Sequence, residues 1–412
     1  MNTSWVNPHA WGLHKFLRPL RPIVSPIVER PSRRRLADAV NVADLRIAAE
    51  KRMHRMCFGY LDSGADDEVT LRRNKEAYGD YALHYHVLSG IKRIDLSTTL
   101  FGEHLELPFF PCPCAGNRMF HTEGEPAVYE TAASRGMAYA MSALATTPVS
   151  AVRGGPPLKI FQLYLWRDRA LVADVLSKAK EAGFKVLALT CDLTWLGNRE
   201  RDKRNNFTIP PAYTPRQIWD ALRAPAWTWD FLSTDPYTYA NLNAEVPAES
   251  LADYVNSQLR TDYSIFDAKE LLELWDGPVV LKGVVRPLDA EIAIEAGFAG
   301  VWLSNHGGRQ LDGAPAAIEV LADVRKRIGV KPIVVLDGGV QRGTDIFKAL
   351  ALGADAVGIG KPYLYGLGAG GKRGVEKCVD ILHRELETTM GLTGVEAVRD
   401  LKSRGEYIVK KR

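Results

Sequence analysis

The sequence predicts an α/β fold: a (β/α)8 TIM barrel with N-terminal helices in front and a long insertion after the fourth strand. Three observations predict it. Eight short apolar runs succeed one another from Phe109 onward, segments with helical spacing stand between many of them, and the runs end in polar or glycine-containing turns. Eight such units close into a barrel more readily than they form a doubly wound sheet. A barrel places its working residues at the C-terminal ends of its strands.

The runs are Phe109 to Cys114, Ala138 to Ser142, Leu158 to Tyr164, Lys185 to Asp192, Val279 to Val284, Gly300 to Asn305, Pro332 to Gly338 and Ala354 to Gly360. Helices are expected at Asp168 to Ala182, Pro287 to Ala296, Ala316 to Ile328 and Thr344 to Leu352. Glu181-Ala182-Gly183-Phe184, Glu295-Ala296-Gly297-Phe298 and Leu352-Gly353-Ala354 each read as a helix end feeding a buried parallel strand.

Ahead of the runs, residues 1–40 carry prolines at 8, 19, 22, 26 and 31 and predict an irregular basic arm. The body then spans 41–412. Leu45, Ala48, Ala49, Met53, Met56, Cys57 and Tyr60 recur at three and four residues and predict one helix that Ser63-Gly64 stops; a second is expected from Asp67 to Tyr78. More than eighty residues separate Asp192 from Val279, too many for an ordinary connection. The insertion, 193–262, carries Trp195, Trp219, Trp227 and Trp229. It reads as a lid, as a membrane-contact surface, or as a packed subdomain whose tryptophans are core.

Composition narrows the function. The formal charge is only +4, and residues 1–35 hold seven cations against Glu29, so the body is close to neutral and no nucleic-acid partner is expected. Five cysteines without a Cys-x-x-Cys pair indicate neither a disulfide framework nor a metal site. A cytoplasmic location is expected, with peripheral contact at the inner membrane, although the arginine-rich, acid-poor leader also has the composition of a mitochondrial presequence. No apolar run approaches the roughly 18 residues of a membrane span.

The chemistry concentrates at the strand ends. Ser304-Asn305-His306-Gly307-Gly308-Arg309-Gln310-Leu311-Asp312 follows the sixth run and offers a base, two glycines and a guanidinium in one turn. An isolated His-x-x-Arg also reads as a satisfied histidine beside a solvated arginine, so the setting decides between the two. Asp337-Gly338-Gly339 and Gly358-Ile359-Gly360-Lys361 end the seventh and eighth runs, the usual place of a phosphate site in such barrels. By contrast Gly366-x-Gly368-x-x-Gly371 matches a dinucleotide fingerprint only as a string, since it follows the eighth run.

With these residues in place, the chain resembles the FMN-dependent α-hydroxy acid oxidase and dehydrogenase family, which includes glycolate oxidase, lactate dehydrogenase and mandelate dehydrogenase. The likeness runs from about Val42 to the C-terminus. It is carried by Ser304 to Gln310, Tyr60-x-x-Ser63-Gly64-Ala65, Phe161-Gln162-Leu163-Tyr164, Arg199-x-Arg201-Asp202, Leu281-Lys282-Gly283 and Asp337-Gly338-Gly339-Val340. It implies FMN as cofactor, a small 2-hydroxy acid as substrate, quinone or oxygen as electron acceptor, and a homo-oligomer, a tetramer by likeness to the family.

The resemblance also implies roles. Arg309, Arg199 and Tyr60 would hold the substrate carboxylate, His306 would be the base supported by Asp192, and Tyr164 would contact the substrate hydroxyl. Lys282 would lie beside the flavin, where a cation stabilises charge gained on reduction. Pro113, Cys114, Ala115 and Ser142, with Gln162, Thr190 and Ser304, would line its ring and ribityl chain. Asp337, Gly339, Gln341, Gly360 and Lys361 would complete the ribityl and phosphate end. No residue is assigned to a metal.

The chain departs from the family pattern at Gln341 and Lys361, where arginine is common, and at Cys114, where threonine or a similar residue is usual. Leu144 replaces a bulky aromatic of glycolate oxidase, which implies room for a larger substrate side chain. The insertion, with Asn206-Phe207-Thr208-Ile209-Pro210 and Ala226 to Leu232, resembles that of the membrane-associated lactate and mandelate dehydrogenases and favours a quinone-type acceptor. Oxidation of an (S)-2-hydroxy acid is the expected function; an oxygen-dependent oxidase producing hydrogen peroxide, an FMN-dependent diphosphate isomerase and a catalytically silent flavin-binding protein are its rivals.

Overall fold

The computed structural model describes residues 12–207, 214–236, 238–242, 257–258 and 261–412, with backbone alone at 403, 404, 406 and 407. Its centre is a parallel eight-stranded barrel. In chain order the strands are β1 (Phe109–Pro111), β2 (Tyr139–Ser142), β3 (Lys159–Tyr164), β4 (Val186–Thr190), β5 (Val279–Val284), β6 (Gly300–Leu303), β7 (Ile333–Leu336) and β8 (Ala356–Ile359). Hydrogen bonding follows the order β1-β8-β7-β6-β5-β4-β3-β2, which leaves the barrel nearly closed at β1 and β2.

All eight expected runs are strands; β1, β4, β6, β7 and β8 stop short of the C-terminal end of their runs, where the last residues turn out into the loops that build the site, while β2, β3 and β5 reach it. Alternation explains their uniform apolarity. On β6, Trp302 enters the barrel interior against Phe110 at 5.5 Å, while Val301 and Leu303 face the outer layer. A hairpin, Thr98–Leu100 with Glu103–Leu105, adds Leu100 and Leu105 to the interior cluster at the end opposite the site. Each such side chain, fully buried, contributes about 1.5–3 kcal/mol.

The four expected helices lie at Arg169–Glu181, Pro287–Glu295, Ala317–Ile328 and Gly343–Ala351. The discounted glycines fall in the C-terminal helix Lys361–Thr393, where they serve packing: a Cβ on Gly366 would meet Gly374 O at 2.3 Å, and one on Gly368 would meet Met53 Sδ at 2.4 Å.

Two expectations are corrected. The single helix read through Leu45 to Tyr60 is two, Val42–Arg52 and Arg55–Asp62, because Met53 and His54 are extended and His54 caps the second through Met56 N at 3.2 Å. The arm, expected irregular, is helical over Leu13–Leu17, Arg21–Val28 and Arg30–Asp38, with a 3-10 turn at Arg18–Leu20. Pro19, Pro22 and Pro31 sit at second positions of their segments, where a missing N–H breaks no helical bond. Residues 1–11 of the arm lie outside the described residues, as do 208–213 and 243–256 of the insertion, including Thr208-Ile209-Pro210.

The insertion's tryptophans divide between two of the expected readings. Trp227 is core, stacked on Phe231 at 5.0 Å and donating to Met119 O at 2.9 Å, whereas Trp195 and Trp219 are exposed. One ion cluster ties arm, body and insertion together. Arg52, 1% exposed, pairs with Glu29 at 2.5 Å and Asp230 at 3.3 Å and donates to Gly368 O. Asp230 also accepts from Arg21 Nη2 at 3.0 Å and from Thr122 N at 3.1 Å. Burial alone would raise the Asp230 carboxyl, but the charges of His121 and Arg52 and the Thr122 bonds hold it below the usual carboxylate range.

Removing Arg52 takes the guanidinium away from partly buried Glu29 and from buried Asp230, which keeps Arg21 and the Thr122 bonds. Arg52→Ala is expected to cost about 3–5 kcal/mol in urea unfolding at neutral pH. The depressed Asp230 contributes stability that is present above an unfolded carboxylate's pKa of about 4 and lost as pH falls toward its folded value, so the variant's stability should fall less steeply with acid than wild type's.

Candidate active site

The strand ends open into a cavity of about 320 Å³. One wall is the turn after β6. His306, Gly307 and Gly308 have φ of 58°, 66° and 74°, three successive residues in the left-handed region, which a histidine rarely enters. Side chains hold the turn: Asn305 and Asn74 exchange paired amide bonds of 2.9 and 2.7 Å, Asn305 Nδ2 donates to Pro315 O, and Asn305 Oδ1 accepts from Gly308 N. His306 N donates to Ser304 Oγ at 3.1 Å.

The turn aims His306 at the end of β4, where Nδ1 lies 3.0 Å from Asp192 Oδ1. Burial would raise the Asp192 carboxyl, but the neighbouring His306 and Lys282 outweigh it and hold the group below its ordinary value, ionised. A carboxylate only accepts, so Nδ1 carries the proton and Nε2 is left as the basic nitrogen. Asp192 Oδ2 is buried without a hydrogen-bond partner among the described residues, so the carboxylate's anchoring falls on the imidazole.

Below the histidine lies a second cluster. Lys282, from β5, donates to Ser304 Oγ and Asp337 Oδ2, both at 2.9 Å, and Ser304 Oγ donates to Asp337 Oδ1 at 2.6 Å. Burial works to discharge the lysine, yet Asp337 and Asp192 hold it above its ordinary value, a fixed ammonium. Across the cavity, Gln162 spans three strands, accepting from Ser142 Oγ at 2.8 Å and donating to Thr190 Oγ1 at 3.0 Å. Gln162 and Thr190 reach the wall, with Pro113, Cys114 and Ala115 from the loop after β1. Ser142 stands behind Gln162, where it positions the amide rather than facing the cavity. Burial pushes the Cys114 thiol up to about 11, so it is an apolar neighbour, not a thiolate.

The far end is backbone and two lysines, Lys75 and Lys361. Gly338 and Gly339 have φ of 98° and 78°, and a Cβ on Gly339 would lie 1.8 Å from Asn74 O. Gly360 and Gln341 complete that wall, with Gln341 Nε2 turned to Val340 O at 2.8 Å. Lys361 heads the C-terminal helix and donates to Ser63 O at 3.1 Å, Asp62 O at 3.3 Å and Gly307 O at 3.5 Å. Burial first, then the charge of Arg309, drives its ammonium well below the ordinary value.

At the outer end, Arg309 donates to Tyr60 O and, at 3.1 Å, to Ser63 O, and lies 4.6 Å over the Tyr60 ring. Arg199, at the start of helix Glu200–Arg204, donates to Arg309 O at 3.4 Å and Gln310 Oε1 at 3.3 Å. Burial and then Arg199 push the Arg309 guanidinium below its ordinary value. Among the described residues neither arginine has a carboxylate partner. Two cations held side by side against their repulsion form a cradle for a carboxylate. Tyr164, from β3, is buried and held as a neutral phenol.

All the expected site residues are therefore gathered at one end of the barrel, with Asp192 and Ser142 one layer behind the wall. Sequence reasoning missed Asn74, which locks the turn, and Tyr239. The latter reaches the wall from the insertion, seated by Ala240 N to Ala145 O at 3.0 Å and Val149 N to Asn241 Oδ1 at 2.8 Å. Burial, then Tyr60 and Tyr164, keeps its phenol neutral. No local pattern marks either residue.

The chain matches the family model for FMN-dependent dehydrogenases over residues 49–408. It is 37% identical to glycolate oxidase 3 of Arabidopsis thaliana over 88% of this chain and 95% of that one. Likewise it is 37% identical to L-lactate oxidase of Nostoc sp. (strain PCC 7120 / SAG 25.82 / UTEX 2576), over 89% and 97% of the two chains. Among solved structures, that of the monotopic membrane protein (S)-mandelate dehydrogenase superposes with a TM-score of 0.87 and 30% identity, covering 91% of this chain and 100% of that one.

Gly339→Ala tests the cradle, since its methyl must displace the Asn74 carbonyl in a backbone region costing a non-glycine residue about 1–3 kcal/mol. Expected are a lower melting temperature and loss of bound cofactor, read from the visible absorbance of the purified protein; an unchanged spectrum and melt would refute the close approach.

Proposed function

The chain belongs to the FMN-dependent dehydrogenase family and is an FMN-dependent hydroxy acid dehydrogenase or oxidase; from that premise we propose that it oxidises an (S)-2-hydroxy acid, lactate-like or mandelate-like, to the 2-oxo acid and delivers the electrons to a quinone-type acceptor. One observation carries the substrate class. Arg199 and Arg309 converge on the wall that holds His306, with Asp192 behind it, and, among the described residues, neither arginine has an acid of its own. A carboxylate and a proton to be removed from the neighbouring carbon or its hydroxyl fit that wall.

The residues present fit FMN. Lys282, fixed by Asp337 and Ser304, would stand beside the electron-rich edge of the ring; Gln162 and Thr190 offer hydrogen bonds in reach of it. Gly339 lets the Asn74 carbonyl approach closely, Gly338 and Gly360 leave the space beside them open, and Lys361 supplies a cation for the phosphate. Bound FMN accepts the electron pair that leaves the substrate.

The protein's own part is binding, orientation and proton transfer. Arg199 and Arg309 clamp the carboxylate and so fix the α-carbon, an entropic advantage realised before chemistry begins. His306 Nε2 takes the proton released as the carbon is oxidised, and ionised Asp192 stabilises the imidazolium. Tyr164 and Tyr60, with Tyr239 from the insertion, close the substrate end, and Leu144 leaves room for a side chain larger than hydrogen.

A membrane acceptor is supported by helix Pro215–Arg223, which exposes Ile218, Trp219 and Leu222 beside Arg216 and Arg223. Similarity to a monotopic membrane protein supports it further. Among the described residues no helix is long and apolar enough to cross one. Similarity to enzymes named oxidases favours oxygen as the second reading.

Anaerobic mixing with a panel of 2-hydroxy acids is expected to bleach the flavin absorbance; no response to any acid would sink the proposal. His306→Gln should retain flavin but reduce it about 10²–10⁴-fold more slowly, and Asp192→Asn should slow it in the same direction. Stopped-flow reoxidation of substrate-reduced enzyme should be fast with a soluble quinone and slow with oxygen. The reverse order would make it an oxidase.

A further inference from the structure

The N-terminal arm wears its apolar residues on the outside. Phe16, Leu20, Ile23 and Ile27 follow one another at four, three and four residues, the spacing that keeps side chains on one helix face, and they are 75%, 45%, 67% and 68% exposed. A helix packed on a globular body normally turns that face inward. Here polar bonds hold the inner face: Arg21 donates to Ser233 Oγ at 2.9 Å and Asp230 Oδ1 at 3.0 Å, and Trp229 Nε1 donates to Ser25 Oγ at 3.1 Å. Those bonds fix which way the stripe faces.

A basic cluster follows the stripe directly. Arg30, Arg33, Arg34 and Arg35 are exposed, and among the described residues none is paired with a carboxylate. An apolar stripe that runs into unpaired arginines matches the two attractions of an anionic bilayer surface, acyl chains for the first and lipid phosphates for the second. We infer that the arm is a bilayer-docking element, with Phe16, Leu20, Ile23 and Ile27 entering the interface of an anionic membrane and Arg30, Arg33, Arg34 and Arg35 meeting its headgroups. A second copy of the chain is the poorer occupant, because a symmetric contact would set the same four arginines against each other.

The inference rests on the reading of an enzyme that delivers electrons at a membrane, and deepens it. It adds to the insertion helix a second contact, built from residues outside the 49–408 shared with the family. Two contacts on one body raise avidity as the product of their affinities, limited by geometry.

The test is flotation of the full-length, FMN-loaded protein with phosphatidylcholine vesicles, with and without phosphatidylglycerol. Binding is expected only to the anionic vesicles and should weaken with added salt. Each arginine at such a surface is worth roughly fivefold, so Arg33→Ser, Arg34→Ser and Arg35→Ser combined should weaken binding roughly a hundredfold. Ile23→Ser with Ile27→Ser should weaken it too. Both variants should melt with wild type and reduce their flavin with a 2-hydroxy acid at the wild-type rate in solution.

Wild-type protein indifferent to anionic lipid, or variants that float like wild type, would overturn the inference. Variants that change the sedimentation coefficient but not flotation would assign the stripe to a second copy, and overturn it as well. Failure of every acid to reduce the flavin would instead remove the proposed reaction while leaving vesicle binding to be scored.

Discussion

The site depends on a backbone that its own sequence resists. Holding His306, Gly307 and Gly308 in left-handed conformation costs about 1–2 kcal/mol at the histidine alone. The Asn74–Asn305 amide pair, reaching 231 residues along the chain, offsets that cost and makes the turn rigid. Three consequences follow from the one turn. His306 faces Asp192, Arg309 swings to the Tyr60 helix, and Gly308 O accepts from Ala65 N at 2.8 Å, so the barrel and the N-terminal helices are joined at the His306 loop itself.

Around the turn the charges do not balance. Lys282 is neutralised by Asp337, and Asp192 is engaged by His306, but Arg199, Arg309 and Lys361 are left among backbone oxygens. Buried cations without counter-ions are costly, and proteins keep them where an anion arrives. Arg309 and Lys361 both donate to Ser63 O, and Lys361 directly follows Gly360, so it stands between the arginines and the glycine-rich wall. Lys361, close enough to Arg309 to be depressed by it, couples the two ends electrostatically.

What the sequence made legible was what is local. Strands buried on both faces read as continuous apolar runs, and the Ser304 to Gln310 turn, the Asp337-Gly338-Gly339 bend and Lys282 each carry their chemistry in a few contiguous residues. Asn74 was not legible, because nothing near it announces a partner 231 residues away. Tyr239 was hidden for the same reason, as its place is set by bonds to Ala145 and Val149 rather than by its neighbours. The arm was misread because prolines signal helix breaks and helix starts alike, and only its packing on helix Pro225–Leu232 decides between them.

The charge cluster at Arg52 sets an order of events in synthesis. Arg21 and Asp230 are 209 residues apart, and Arg52 meets Gly368 O across 316. At the usual 5–20 residues per second, the arm emerges roughly 10–40 seconds before its first carboxylate partner in the insertion exists. During that interval Phe16, Leu20, Ile23 and Ile27 have nothing to be oriented by, and the nascent chain presents an apolar, cationic leader to whatever the ribosome stands beside. The finished fold preserves that face instead of hiding it.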